Sequence, residues 1–116
     1  MMTEKKKVLL AEDDSSMRRL IEITLQKAGY EVLAADDGLA AMQIALATEI
    51  DVLIADAIMP NMSGYDLCRM LRERKIPCII LSGLAENNSG EEIADVFLIK
   101  DTNLKEELLA TLSKLL

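Results

Sequence analysis

The stretch IDVLIADAIMPNMSG, Ile50 to Gly64, decides the fold. Val52 to Ala55 is an apolar run without a polar break, the pattern of a strand buried on both faces of a parallel sheet. It ends at Asp56, and Pro60, Asn61 and Gly64 then mark a loop. A carboxylate at the carboxyl end of a central strand stands where open α/β sheets place their ligand sites. The rest of the chain reads as support for Asp56.

Downstream, Tyr65 to Arg74 predicts a helix with Leu67, Met70 and Leu71 inward. Ile76-Pro77 leads into a fourth strand, Cys78 to Leu81, which ends at Ser82-Gly83; proline is tolerated where no ladder donor is needed. The segment LAENNSGEEIAD that follows has poor helix propensity, so at most a short helix is expected around Glu91 to Asp95. Val96 to Ile99 is a fifth strand ending at Lys100. Asn103 with Glu106 forms a capping box for a last helix striped by Leu104, Leu108, Leu112 and Leu115.

Upstream, Val8 to Ala11 is a first strand that stops at Glu12-Asp13-Asp14. Ser15 or Asp14 caps a helix whose inward stripe is Met17, Leu20, Ile21, Leu25 and Ala28, with Arg18, Arg19 and Glu22 facing water and Gly29 as its stop. Tyr30 to Ala35 is a more mixed strand, as an edge would be. Asp36-Asp37-Gly38 then turns the chain into an alanine-rich helix, Leu39 to Thr48. Alternating strand and helix units imply an α/β domain with a parallel sheet covered on both faces.

The 116 residues are read as one domain, long enough to bury roughly two thirds of the unfolded surface. Aromatic residues make up only 3%, so the core is aliphatic, and neither this composition nor a net charge of −7 suits a nucleic-acid surface. Histidine is absent, which excludes histidine-ligated metals and Ser-His or Cys-His hydrolysis. Cys68 and Cys78 read as buried small hydrophobes in a reducing compartment. No apolar run reaches the length of a membrane span, and the one after Lys5-Lys6-Lys7 meets Glu12 too early for a signal peptide. A cytoplasmic protein is expected.

Four apolar strands end in polar groups: Glu12 and Asp13, Asp56, Ser82, and Lys100. A parallel sheet brings such ends to one edge. Carboxylates held together there repel by about 4 kcal/mol per close pair at an effective dielectric near 20, so the cluster needs a cation. An all-oxygen site suits Mg²⁺, which keeps positions open for phosphate oxygens. With Mg²⁺ and the Lys100 ammonium drawing charge away, Asp56 can attack a phosphoryl donor and become an aspartyl phosphate, while Ser82 donates a hydrogen bond to the phosphoryl group. Each piece has an ordinary counterpart. An acidic triplet is often a turn and helix cap, Ser-Gly a turn, and a lone lysine a surface residue. Four signals in order, each at a strand end, shift the balance toward chemistry.

VLLAEDDSSMRRLI, DVLIADAIMPNMSGYDL, PCIILSG and FLIK together resemble the receiver domain of two-component response regulators, over nearly the whole chain. The resemblance implies a doubly wound, flavodoxin-like five-stranded sheet of order 2-1-3-4-5. It implies Asp56 as phosphoacceptor, Mg²⁺ held by Glu12, Asp13, Asp56 and the Ile58 carbonyl, and Ser82 and Lys100 on the phosphoryl group. The donor is then a histidine kinase or a phosphotransfer protein carrying phosphohistidine, and the output is a switched protein partner. Such a domain catalyses its own phosphorylation and is not a conventional enzyme. Two readings of other classes stand beside it: a pseudo-receiver binding module without a phosphate cycle, and an aspartyl metal phosphatase, against which the contiguous Glu12-Asp13-Asp14 argues.

The chain also departs from the family. Asp101 replaces the usual proline after the lysine, so the Lys100–Asp101 bond is expected trans, a cis bond there costing about 2.5 to 4 kcal/mol. Asp101 either competes for the Lys100 ammonium or caps the last helix. Only 18 positions separate Ser82 from Lys100, which shortens the fourth helix. Phe97 takes the switch-aromatic position without a tyrosine hydroxyl. The face of fourth helix, fifth strand and last helix is thus expected to expose apolar surface to a partner or a second copy.

Overall fold

Five strands whose residues are almost wholly apolar form the centre of the molecule. The computed structural model describes residues 4–83 and 94–116. In chain order these contain β1 (Lys7–Ala11), α1 (Ser15–Lys27), β2 (Glu31–Ala35), α2 (Gly38–Ala47), β3 (Val52–Asp56), α3 (Gly64–Arg72), β4 (Cys78–Ser82), β5 (Val96–Ile99) and α4 (Leu104–Leu115). The strands pair in parallel in the order β2-β1-β3-β4-β5, as expected. β2 is the edge its mixed sequence suggested. The expected short fourth helix falls largely outside the described residues; of the face it was expected to share, β5 and α4 are described, and there Leu98 is buried and Phe97 half-buried rather than left as open apolar surface.

The strand alternation divides the core in two. Leu9, Leu53, Ala55 and Ile80 pack under α2 and α3, while Val8, Leu10, Ile54, Ile79 and Leu81 pack under α1 and α4. Side chains with such partners on both faces explain why β1, β3 and β4 have no polar interior position. The first backbone donors of β1 and β4 are met by carboxylates: Asp51 accepts from the Lys7 N–H at 2.7 Å and Asp95 from the Cys78 N–H at 2.8 Å. Pro77 brings no donor to satisfy at this point. Both cysteines are buried, Cys68 on α3 and Cys78 on β4.

Three helix details differ from the sequence reading. On α1 the buried positions are Ile21 and Leu25; Leu20 is 45% exposed and Ala28 is also exposed, because the neighbours β2 and α4 cover only a narrow stripe. On α3 the stripe runs Gly64, Leu67, Cys68 and Leu71, leaving Met70 outward. On α4, Leu104, Leu108 and Leu112 are buried, but Asn103 makes no side-chain cap. Its backbone is already near-helical, so its amide cannot reach the first-turn donors. Asp101 organises that entry instead, its Oδ1 accepting from the Asn103 N–H at 2.9 Å and its carbonyl from the Leu104 N–H at 3.1 Å. No peptide bond among the described residues is cis, so Lys100–Asp101 is trans, as expected.

Asp37 caps α2 through the Ala40 N–H at 2.7 Å and also accepts from the Asn61 side chain at 2.9 Å. These bonds, the first of them foremost, hold its carboxyl below the ordinary range. Their contribution to stability is therefore complete above the unfolded value, about pH 4, and is lost as pH falls through the lower native value. Between about pH 5 and pH 2.5 the melting temperature of the wild type should drop more steeply than that of Asp37→Asn. Parallel melting curves across that range would count against this assignment.

Candidate functional site

The strand registers end nearly flush. Ala11 pairs with Ala55, Asp56 with Leu81, and Ser82 with Ile99, so Glu12, Asp56, Ser82 and Lys100 share one edge of the sheet. The acidic triplet after β1 is split three ways by its local geometry. Glu12 is fully buried, its N–H bonded to the Ala35 carbonyl at 3.1 Å and its own carbonyl accepting from Arg18 Nη1 at 2.9 Å. Asp13 is exposed. Asp14 turns away to cap α1, accepting from the N–H groups of Ser16 and Met17 at 2.9 and 3.2 Å.

One carboxylate oxygen from each of Glu12, Asp13 and Asp56 lies within 4.8 Å of the others. The Lys100 ammonium sits among them, 2.7 Å from Glu12 Oε1 and 3.0 Å from Asp56 Oδ2. Lys100 is fixed from its backbone as well, its N–H donating to the Ser82 carbonyl at 2.7 Å. Burial pushes the carboxyls of Glu12 and Asp56 above the usual carboxylate range, against the lowering effect of Lys100. Burial alone would depress the lysine, but its contacts with Glu12 and Asp56 outweigh that and raise it. The edge is thus an over-acidic pocket held together by one ammonium.

Glu12 Oε2 accepts from the Asp14 N–H at 3.1 Å, and its buried Oε1 faces the Lys100 ammonium at 2.7 Å. One oxygen from each of three carboxylates, gathered around a single ammonium, is a donor set that fits a small divalent cation with oxygen ligands such as Mg²⁺. Ile58 lies two residues beyond Asp56 in the following loop and is 79% exposed. Ser82 is buried at the end of β4, and Phe97 is half-buried on β5 against the core under α2 and α3.

Sequence reasoning missed two features around this edge. Arg18, assigned to water, is half-buried and holds the Glu12 carbonyl; its place one turn into the helix after the acidic triplet was the available signal. Asp37 and Asn61, joined across two loops, lie 24 positions apart and share no periodic pattern.

Fold and pocket together define a doubly wound α/β domain with an acidic, oxygen-rich site at its strand ends. The chain belongs to the response regulator receiver domain family, whose model matches residues 8–112. Receiver domains are signalling modules of two-component systems that work with histidine kinases and downstream targets. The chain is 38% identical over 111 residues to a probable transcriptional regulator, ycf27, of Cyanophora paradoxa, covering 91% of this chain and 46% of that one. It is 30% identical to the response regulator ArlR of Staphylococcus saprophyticus, covering 95% of this chain and 52% of that one. The chain therefore spans about half the length of the curated relatives it matches. Among solved structures, the response regulator protein TrrA of Thermotoga maritima, in complex with Mg²⁺-BeF, matches with a TM-score of 0.87 at 29% identity, over 96% of this chain and 99% of that one. The chemotaxis response regulator CheY4 of Vibrio cholerae matches with a TM-score of 0.85 at 33% identity, over 97% of this chain and all of that one. Among the described residues, no helix is long and apolar enough to cross a membrane.

Proposed function

We propose that residues 1–116 act as a single phosphoryl-accepting receiver, with Asp56 as the acceptor. The observation that carries this reading is the convergence of Glu12, Asp13 and Asp56 with Lys100 at one sheet edge. Glu12, Asp13, Asp56 and the Ile58 carbonyl would hold Mg²⁺. When bound, that ion supplies charge neutralisation for the incoming phosphoryl oxygens. The Mg²⁺-BeF complex of the TrrA neighbour supports the choice of ion.

Asp56 needs no general base when it is ionised, and its pairing with Lys100 favours that form. One of its oxygens attacks the phosphorus of a phosphohistidine donor, the P–N bond breaks, and the donor imidazole leaves with the electron pair and takes up a proton. Lys100, already at Asp56, neutralises one phosphoryl oxygen, and the Ser82 hydroxyl donates to another. Hydrolysis later returns the carboxylate, so the protein processes its own phosphoryl group and switches a partner. Phe97 would relay the change to the face of β5 and α4, through which a target or a second copy docks. The net charge of −7 supports a protein partner rather than direct contact with nucleic acid, and a cytoplasmic site of action follows from the kinase donor.

Incubation with Mg²⁺ and a small phosphodonor tests the proposal. A mass increase of one phosphoryl group that vanishes on chelation of the metal is expected. A chain that folds and binds a partner yet never gains that mass would be a binding module without a phosphate cycle.

A further inference from the structure

We propose that Asp37 and Gly38, at the start of α2, are positioning residues for the loop between β3 and α3. They hold Asn61 and Met62 in place and thereby fix the loop that carries Ile58 beside Asp56. The inference rests on the reading of the acidic edge as a cation site.

The loop has little of its own to fix it at Ile58, a residue that is 79% exposed. Its base is closed by the Gly64 N–H on the Ala57 carbonyl at 3.1 Å, and its far end by the Met62 N–H on the Pro60 carbonyl at 2.8 Å. What ties that far end to the rest of the molecule is α2. Asp37 divides its carboxylate, one oxygen accepting from the Ala40 N–H of the helix and the other from the Asn61 amide of the loop. Gly38 is buried so tightly against Met62 that a Cβ there would lie 2.0 Å from the Met62 carbonyl oxygen. Asn61 adopts a left-handed backbone with φ 71°, a conformation asparagine tolerates better than most residues. The lowered carboxyl of Asp37 agrees with an anion serving both partners.

Helix capping alone would need only the bond to Ala40. The second bond, the backbone contact at Gly38 and the left-handed Asn61 all face the loop. Groups that orient metal ligands without touching the metal commonly alter affinity by about 10- to 100-fold, and one removed by two residues from a carbonyl ligand should act at or below the lower end of that range.

Two variants cut the link by different routes. Asn61→Gly removes the amide and accepts the left-handed backbone. Asp37→Asn keeps an acceptor for Ala40 but has a single oxygen and cannot serve both partners. Mg²⁺ alone is titrated into the full chain by calorimetry, and the amide resonances of Ile58 and Gly64 are followed in metal-free protein. Each variant should bind Mg²⁺ about three- to tenfold more weakly, with shifted Ile58 and Gly64 amides. The double variant should be no worse than the singles, as members of one link behave. Wild-type binding with unchanged affinity and unmoved amides in Asn61→Gly would overturn the inference while leaving the cation site standing. A wild type that fails to bind Mg²⁺ at millimolar levels would remove the underlying reading and the inference with it.

Discussion

Replacing Asp56 by asparagine is expected to abolish phosphorylation outright while raising the melting temperature of the metal-free protein. The two effects have one origin. Asparagine keeps the shape of the side chain but has no anionic oxygen to attack phosphorus, so no mass increase should follow any phosphodonor. Meanwhile burial, and after it the charge of Asp13, make the charged carboxylate less comfortable in the folded protein than in the unfolded chain, even with Lys100 at 3.0 Å. A neutral amide removes that penalty and leaves Lys100 paired with Glu12. Mass spectrometry with a small phosphodonor and thermal melting in a chelator read the two effects separately. Phosphorylation surviving at another residue, or a lower melting temperature, would show that the acidic edge is wrongly understood.

Gly64→Ala should destabilise the fold strongly through a single added methyl group. Gly64 opens α3 where the backbone passes beside the end of β3, and a Cβ would lie 2.1 Å from the Asp56 carbonyl oxygen and 3.3 Å from the Ala55 side chain. Neither obstacle is the tip of a flexible chain, so the strand end itself must shift. Overpacking of this kind costs about 1 to 3 kcal/mol or more, a fall in melting temperature on the order of 10 °C. Because the displaced residue is Asp56, phosphorylation should slow in protein that remains folded. Gly83→Ala is the control, since among the described residues nothing lies within 4 Å of its Cβ position. Equal behaviour of the two variants would refute the argument.

The central strands were legible because each is an unbroken apolar run closed by a polar residue, β2 was read from a more mixed pattern, and β5 has the expected bounds, Val96–Ile99. Their order was not contained in the runs themselves; it came only with the family resemblance. The acidic edge was legible for the same reason as the strands, since strand ends in a parallel sheet meet whatever lies between them in sequence. Helix faces were read less well. Leu20 and Met70 are apolar and correctly spaced, yet which flank of a helix is covered depends on the neighbour above it. Local hydrogen bonding was read least well. At α4 the expected Asn103 box does not form, and of the two readings of Asp101 the capping one holds, because the chain turns two residues earlier than the Asn103 spacing suggests. Arg18 turns inward because the Glu12 backbone carbonyl lies within its reach.

Lys100 has a consequence for how the protein can be made and used. Many small metal-dependent domains have no stable fold until their ion arrives. Here a tethered ammonium stands as a resident placeholder at the acidic edge. On the proposed reading, an arriving divalent ion would have to share the carboxylates with that ammonium, so the grip on metal should be loose and exchange rapid. Such a site would suit a domain that is charged and discharged repeatedly.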